Sequence, residues 1–208
     1  MNDAAILSTK YSGIVVKVAT SANPFFFALV QEALLKIHGK PVGRRLIEDI
    51  RTRGTPNPIQ GFKVAICPPR LIRATGPGAP TDFTPGSKAV RASEDKAVWH
   101  HGPAHGPTAT QRPGPGSSTA VFWNPNVIST PDGSRPTFIG LAHELIHARR
   151  NLLGIAEAAW EREEQATVGL NFNGDDITEN AIRAEHGLPR RLSYGDIRDE
   201  FAYLADRF

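Results

Sequence analysis

The sequence predicts an α+β fold: a small sheet packed on helices, with one central helix. Three observations carry that prediction. Short runs rich in β-branched or aromatic residues recur at 14–18, 62–66 and 120–123, each followed by turn residues or Pro. Between and after them lie longer stretches with apolar residues every three or four positions. The chain has 208 residues, 40% hydrophobic and 22% charged, the size and composition of one globular domain.

The elements follow in order. Ile14-Val15-Val16-Lys17-Val18 is the first strand. Phe26, Leu29, Val30, Ala33, Leu34 and Ile37 keep a helical period over 26–37, and Gly39 and Pro41 end it. A short second helix is expected over 43–51 with Leu46, Ile47 and Ile50 inward. Residues 62–66 form the next strand, stopped by Pro68-Pro69. Residues 74–118 then carry Gly-Pro, Pro-Gly and Ala-Pro dipeptides and few aliphatics, the composition of a long mobile loop or insertion within a single domain spanning 1–208. His100, His101 and His105 fall there with no carboxylate or thiolate at ligand spacing, and solvated loop histidines are their simpler reading.

Order returns at Ala120-Val121-Phe122-Trp123, a strand ending at Asn124-Pro125. Asp132-Gly133 turns the chain, and Ser134 or Arg135 is positioned to cap a helix with Pro136 in its first turn. That helix is expected to be half buried, to run to about Arg150 and to stop at Gly154. Another fits 156–168, ended by Gly169. Thr178 caps a further helix that stops at Gly187-Leu188-Pro189, and 196–208 is expected to form a terminal one.

Composition narrows function. With one cysteine, Cys67, no intrachain disulfide can form. No apolar run approaches the roughly 20 residues of a membrane span, and the first 20 residues lack the pattern of a Sec signal. The formal charge of +3 comes without a basic patch interleaved with aromatics, which argues against nucleic acid as a partner.

The chemistry lies in His143-Glu144-Leu145-Ile146-His147. Residues four apart on a helix share a face, so the two imidazoles can hold one zinc ion. Glu144 sits at the neighbouring edge of that face, placed to act as a base toward water without ligating the metal. A catalytic zinc needs a third protein ligand. From His147 the helix descends to Leu153 by about 9 Å, and a returning helix climbs about 12 Å from Ala156 to Glu164, at 1.5 Å per residue. Glu164 therefore arrives at the level of His147. Glu163 points about 100° away and can orient a histidine from behind.

These segments resemble a known family. His143-Glu144-Leu145-Ile146-His147-Ala148-Arg149-Arg150-Asn151-Leu152-Leu153-Gly154-Ile155 is similar to the zinc helix of the clostridial neurotoxin light chains. Glu163-Glu164-Gln165-Ala166-Thr167-Val168-Gly169 resembles their EE-x-x-T-x-G helix, and by that resemblance Glu164 is the ligand and Glu163 its supporting partner. Arg191-Leu192-Ser193-Tyr194 resembles their R-x-x-Y element, which implies that Arg191 and Tyr194 face the scissile carbonyl. The short interval between motifs, the chain length and the upstream pattern are more similar to the NleD family of type III secreted effector proteases. The resemblance spans 120–195 strongly, 14–67 weakly and 74–118 not at all. It implies a compact zincin-type, gluzincin-like metalloprotease domain acting as a monomer. It further implies secretion without a Sec signal into a host cytoplasm, and a host protein substrate such as a mitogen-activated protein kinase cut in its activation loop.

The expected reaction is zinc-dependent endopeptidase cleavage. Glu144 is the base, and Arg191 and Tyr194 are donors to the oxyanion. The 121–123 strand is expected at a sheet edge, where Phe122 and Trp123 contact an extended substrate. A peptidase of the producing cell and a catalytically inactive host-protein-binding module stay open as alternatives.

Overall fold

The computed structural model describes residues 4–19, 25–54, 56, 61–68, 88–91, 116, 118–130, 133–157, 160–170, 175–194 and 197–198. Strands β1 (Ala4–Ser8) and β2 (Ile14–Ala19) are followed by helices α1 (Phe25–His38) and α2 (Pro41–Thr52), then β3 (Val64–Cys67), β4 (Lys88–Arg91) and β5 (Thr119–Phe122). Two short strands, β6 (Ser129–Thr130) and β7 (Gly133–Ser134), precede α3 (Thr137–Leu153) and α4 (Trp160–Val168). Helix α5 (Glu179–Glu185) and the short pair β8 (Ser193–Tyr194) and β9 (Ile197–Arg198) complete the order. The fold is α+β, as the sequence predicts.

The main sheet runs β1-β2-β3-β5-β4. Its centre is parallel, with Ile14 opposite Val64 and Val64 opposite Thr119, and each flank is antiparallel. Parallel strands buried on both faces call for continuous apolar runs, which Val64-Ala65-Ile66 supplies. Ile14, Val16, Ile66 and Val121 meet Val30, Leu34 and Ile37 of α1, Leu46, Ile47 and Ile50 of α2, and Ile139, Ala142, Leu145 and Ile146 of α3 in one core.

Helix α3 lies at its heart. Of its 17 residues 12 are buried, including His143, Glu144, Arg149 and Arg150. The expectation of a half-buried helix is therefore corrected. A helix enclosed nearly all round has to satisfy its polar side chains within the protein. Its ends also differ from expectation. The N-cap is Pro136, not Ser134 or Arg135, and makes no side-chain capping bond. The C-cap is Gly154 at φ 68°, a left-handed conformation that favours glycine.

Long-range contacts fix α2. No side chain of its own caps its N-terminus; instead the Glu185 carboxylate accepts from the Val42 and Gly43 amides at 2.7 and 3.0 Å. The α1–α2 turn is tight enough that a Cβ on Gly43 would lie 2.0 Å from the Ile37 carbonyl oxygen.

Three further expectations change, and one strand is added. Residues 4–8 form a strand that the sequence reading left unassigned. The 74–118 stretch contributes β4, an outer strand of the sheet, while the rest of it, with His100, His101 and His105, lies outside the described residues except 116 and 118. Helix α4 begins at Trp160, not 156. Ile197–Arg198 is a strand paired with β8 where a terminal helix was expected, and 199–208 lie outside the described residues. Thr178 caps α5 as expected, its Oγ1 accepting from the Ala181 amide at 3.1 Å. Among the described residues no helix is long and apolar enough to cross a membrane.

Candidate metal centre

The i, i+4 spacing on α3 places the His143 and His147 rings together, with centroids 4.8 Å apart. Their Nε2 atoms lie 3.2 Å apart. Glu164, on the returning α4, closes the group: its carboxylate oxygens are 3.2 Å from His143 Nε2 and 3.4 Å from His147 Nε2. All three residues are largely enclosed, and they form the His/Cys/Asp/Glu group among the described residues that could hold a metal ion.

Behind each ring stands a carboxylate. His143 Nδ1 is 2.8 Å from Glu179 Oε2, and His147 Nδ1 is 3.0 Å from Glu163 Oε1. A carboxylate only accepts, so each Nδ1–H donates, and in a neutral ring the Nε2 lone pair then faces the other ring and Glu164. Glu164 Oε2 is buried and makes no hydrogen bond among the described residues, although it lies 3.2 Å from His143 Nε2. Once the rings exchange any Nε2 proton for a metal, electron pairs converge here without a donor between them. The spacing also fits. Ligands about 2.0–2.1 Å from a tetrahedral zinc lie about 3.3–3.4 Å from one another, close to the 3.2 Å between the two Nε2 atoms and the 3.2 Å from His143 Nε2 to Glu164 Oε2; the 3.4 Å approach to His147 is made by Oε1.

The electrostatics agree. Burial alone would push both histidines down. Glu164 and Glu179 nevertheless hold His143 above its ordinary value, and Glu163 and Glu164 raise His147 to about 10. Burial opposes ionisation of Glu164 and Glu179, yet His143 and His147 at Glu164, and His143 with Arg191 at Glu179, hold both carboxyls well below the usual carboxylate range. This site attracts positive charge.

The supporting groups reach far. Glu179 is fully buried and also accepts from Arg183 Nε at 2.7 Å and Arg191 Nη1 at 3.2 Å. Glu163 accepts from Arg150 Nε and from the Glu157 amide. Arg150 and Arg149 share Asp175, and Arg149 continues to Asp49 on α2. Thr167 Oγ1 lies 3.1 Å from His147 Nδ1. Sequence reasoning missed Glu179, Arg150, Asp175 and Thr167 as supports. The one local signal was an acid in the first turn after the Thr178 cap, which any surface helix could show.

The structure places the remaining predicted residues as follows. Glu144 is buried on the same face of α3 and makes no hydrogen bond or ion pair among the described residues. The Tyr194 ring stacks on His143, centroids 5.7 Å apart and planes 4° from parallel, and the Arg191 guanidinium lies 4.5 Å over the Tyr194 ring. Burial, then Glu164 and Glu144, push the Tyr194 hydroxyl up to about 12, so it stays a donor at neutral pH. Arg191 also donates to the Ser193 carbonyl.

Phe122 and Trp123 require correction. Strand β5 pairs with β3 on one side and β4 on the other, so it has no free edge for a substrate. Trp123 is 1% exposed, donates to the Thr137 carbonyl and packs on Phe26, all of which make it a core residue. The edge was misassigned because the partner strand comes from the Pro- and Gly-rich stretch.

Among families of known proteins, the model Peptidase_M91, described as effector protein, matches residues 15–194. No curated protein matches the chain. Among solved structures, the chain is similar to the crystal structure of botulinum neurotoxin type G light chain, with 14% identity and a TM-score of 0.42. The match covers 70% of this chain and 45% of the light chain, so this chain spans less than half of that protein's length.

Proposed function

The chain belongs to the Peptidase_M91 family of effector proteins, and from that premise we propose that it is a zinc-dependent endopeptidase acting on a protein of a host cell. One ion is held by His143, His147 and Glu164, in a single domain that acts as a monomer. The observation that carries this reading is the convergence of two imidazole Nε2 atoms 3.2 Å apart with the Glu164 carboxylate, whose Oε2 lies 3.2 Å from His143 and whose Oε1 lies 3.4 Å from His147. When bound, zinc supplies Lewis-acid polarisation of a carbonyl and lowers the pKa of a water toward 7.

The protein's own groups do the rest. Glu179 and Glu163 fix the two rings in one tautomer. Glu144, a buried carboxylate with no fixed partner, takes the proton from the attacking water and delivers it to the leaving amine. Tyr194 offers an O–H to the developing oxyanion, and Arg191 reinforces it from behind the ring. Enclosure keeps these dipoles effective by excluding bulk water.

For substrate, the resemblance to NleD-type effectors supports a mitogen-activated protein kinase cut in its activation loop, after type III secretion into the host cytoplasm. The test incubates wild type and Glu144→Gln with host-cell lysate and sequences new protein termini by mass spectrometry. We expect termini that appear with wild type alone, and a loss in rate of roughly 10²–10⁴-fold in the variant at unchanged zinc content. Equal cleavage by both would defeat the assignment of the base.

A further inference from the structure

Five arginines are buried among the described residues. Four have carboxylates: Arg149 meets Asp49 and Asp175, Arg150 meets Glu163 and Asp175, and Arg183 and Arg191 share Glu179. Arg135 does not. It is 8% exposed, makes no ion pair among the described residues, and its Nε is sealed from solvent without a hydrogen-bond partner. One long bond, from Nη2 to the Gly140 carbonyl at 3.4 Å, is all its guanidinium has among those residues. A buried cation with so little compensation is costly to keep.

Its location gives the cost a purpose. The Arg135 backbone is pinned where β7 runs into α3, its amide donating to the Ile128 carbonyl at 2.8 Å. The guanidinium lies over Gly140, 3.5 Å from where a Cβ would stand. Gly140, His143, Glu144 and His147 share one face of α3. Arg135 therefore covers the site face of that helix, one turn ahead of the residues that would bind metal and move protons. Its charge is also felt by the Glu179 carboxyl behind His143 and by the Tyr194 phenol stacked on that ring.

Resting on the peptidase reading, we propose that Arg135 is a specificity-determining residue that binds a carboxylate of the substrate close to the scissile bond. Gly140 precedes Glu144 by about 6 Å along the helix axis. An extended peptide covers about 7 Å in two residues. The bound carboxylate thus belongs to an Asp or Glu within two positions of the cleaved bond, or to a chain terminus at that place. The planar fork of Arg suits bidentate recognition of such a group.

The experiment uses the full chain loaded with zinc and a degenerate library of peptides with amidated C-termini. After cleavage sites are mapped, matched pairs are made that differ only by Asp against Asn at each position within two of the cut. Free-acid peptides ending at the same place separate a terminal carboxylate from a side chain. We expect kcat/KM to favour the acid over its amide by about 10- to 100-fold, the range of a hydrogen bond to a charged group. Arg135→Met should bring that ratio to about 1, and Arg135→Lys should retain part of it. The ratio is internal to each preparation, so a partly unfolded variant does not distort it. Glu144→Gln, titrated with the uncut pairs, should show the same preference in Kd. A wild-type ratio near 1, or an Arg135→Met ratio equal to wild type, overturns the proposal while leaving the peptidase reading intact. No cleavage of any peptide in the library overturns both, since there is then no cut bond for a carboxylate to flank.

Discussion

Glu179 is the support whose loss the structure prices most clearly. It is fully buried on α5 and holds three cationic or polarised groups: His143 at 2.8 Å, Arg183 at 2.7 Å and Arg191 at 3.2 Å. Glu179→Ala strands two buried guanidinium groups, and removing one partner of a buried pair costs about 3–5 kcal/mol. At roughly 2–4 °C per kcal/mol for a chain of this size, the metal-free protein should melt about 10 °C lower. Glu179→Gln keeps shape and one acceptor but drops the charge. Its larger effect falls on His143, whose ring loses its anionic anchor, and zinc affinity should fall by about 10- to 100-fold. Differential scanning fluorimetry of metal-free protein reads the first number, and competition with a zinc-responsive chelator reads the second. Zinc affinity in Glu179→Gln equal to wild type would refute the idea that this carboxylate sets the ring for metal.

Three further outcomes follow from particular contacts. Because the metal-free site raises His147 to about 10, that ring is protonated at pH 7.5 and must lose its proton to bind metal. Zinc binding should therefore release close to one proton and tighten as pH rises toward 10; calorimetry in buffers of different ionisation enthalpy measures this, and zero release contradicts it. Tyr194→Phe keeps the stack on His143 and removes the O–H donor, so kcat should fall about 10²–10³-fold with KM little changed; steady-state kinetics on a mapped peptide decides. Gly43→Ala drives a methyl into the Ile37 carbonyl, an overpacking that costs about 1–3 kcal/mol, and an unchanged Tm would show that α1 and α2 do not meet so closely.

Much of the candidate site was legible because its parts are local. His143 and His147 sit four residues apart on one helix, and Gly154 announces the turn that brings α4 back. The helices over α1 and α2 and the β2, β3 and β5 strands likewise declared themselves within two residues of their ends. Local periodicity and capping chemistry act over a few residues, so a single sequence exposes them.

What stayed hidden depends on groups far apart in the chain. Glu179 lies 36 residues from His143, and Glu185 reaches 143 residues back to the start of α2. The pairing that turned β5 into an interior strand comes from Lys88–Arg91, inside a stretch whose composition promised only a loop. Arg135, expected as a cap, became a buried cation over the site face of α3. The sequence by itself determined which residues can bind a metal and which helix presents them. Tertiary packing alone decided which carboxylates stand behind the rings, which strand is an edge, and which charge is left unpaired. Those outcomes turn on which distant segments share a buried volume, and a lone sequence records neighbours in chain order, not in space.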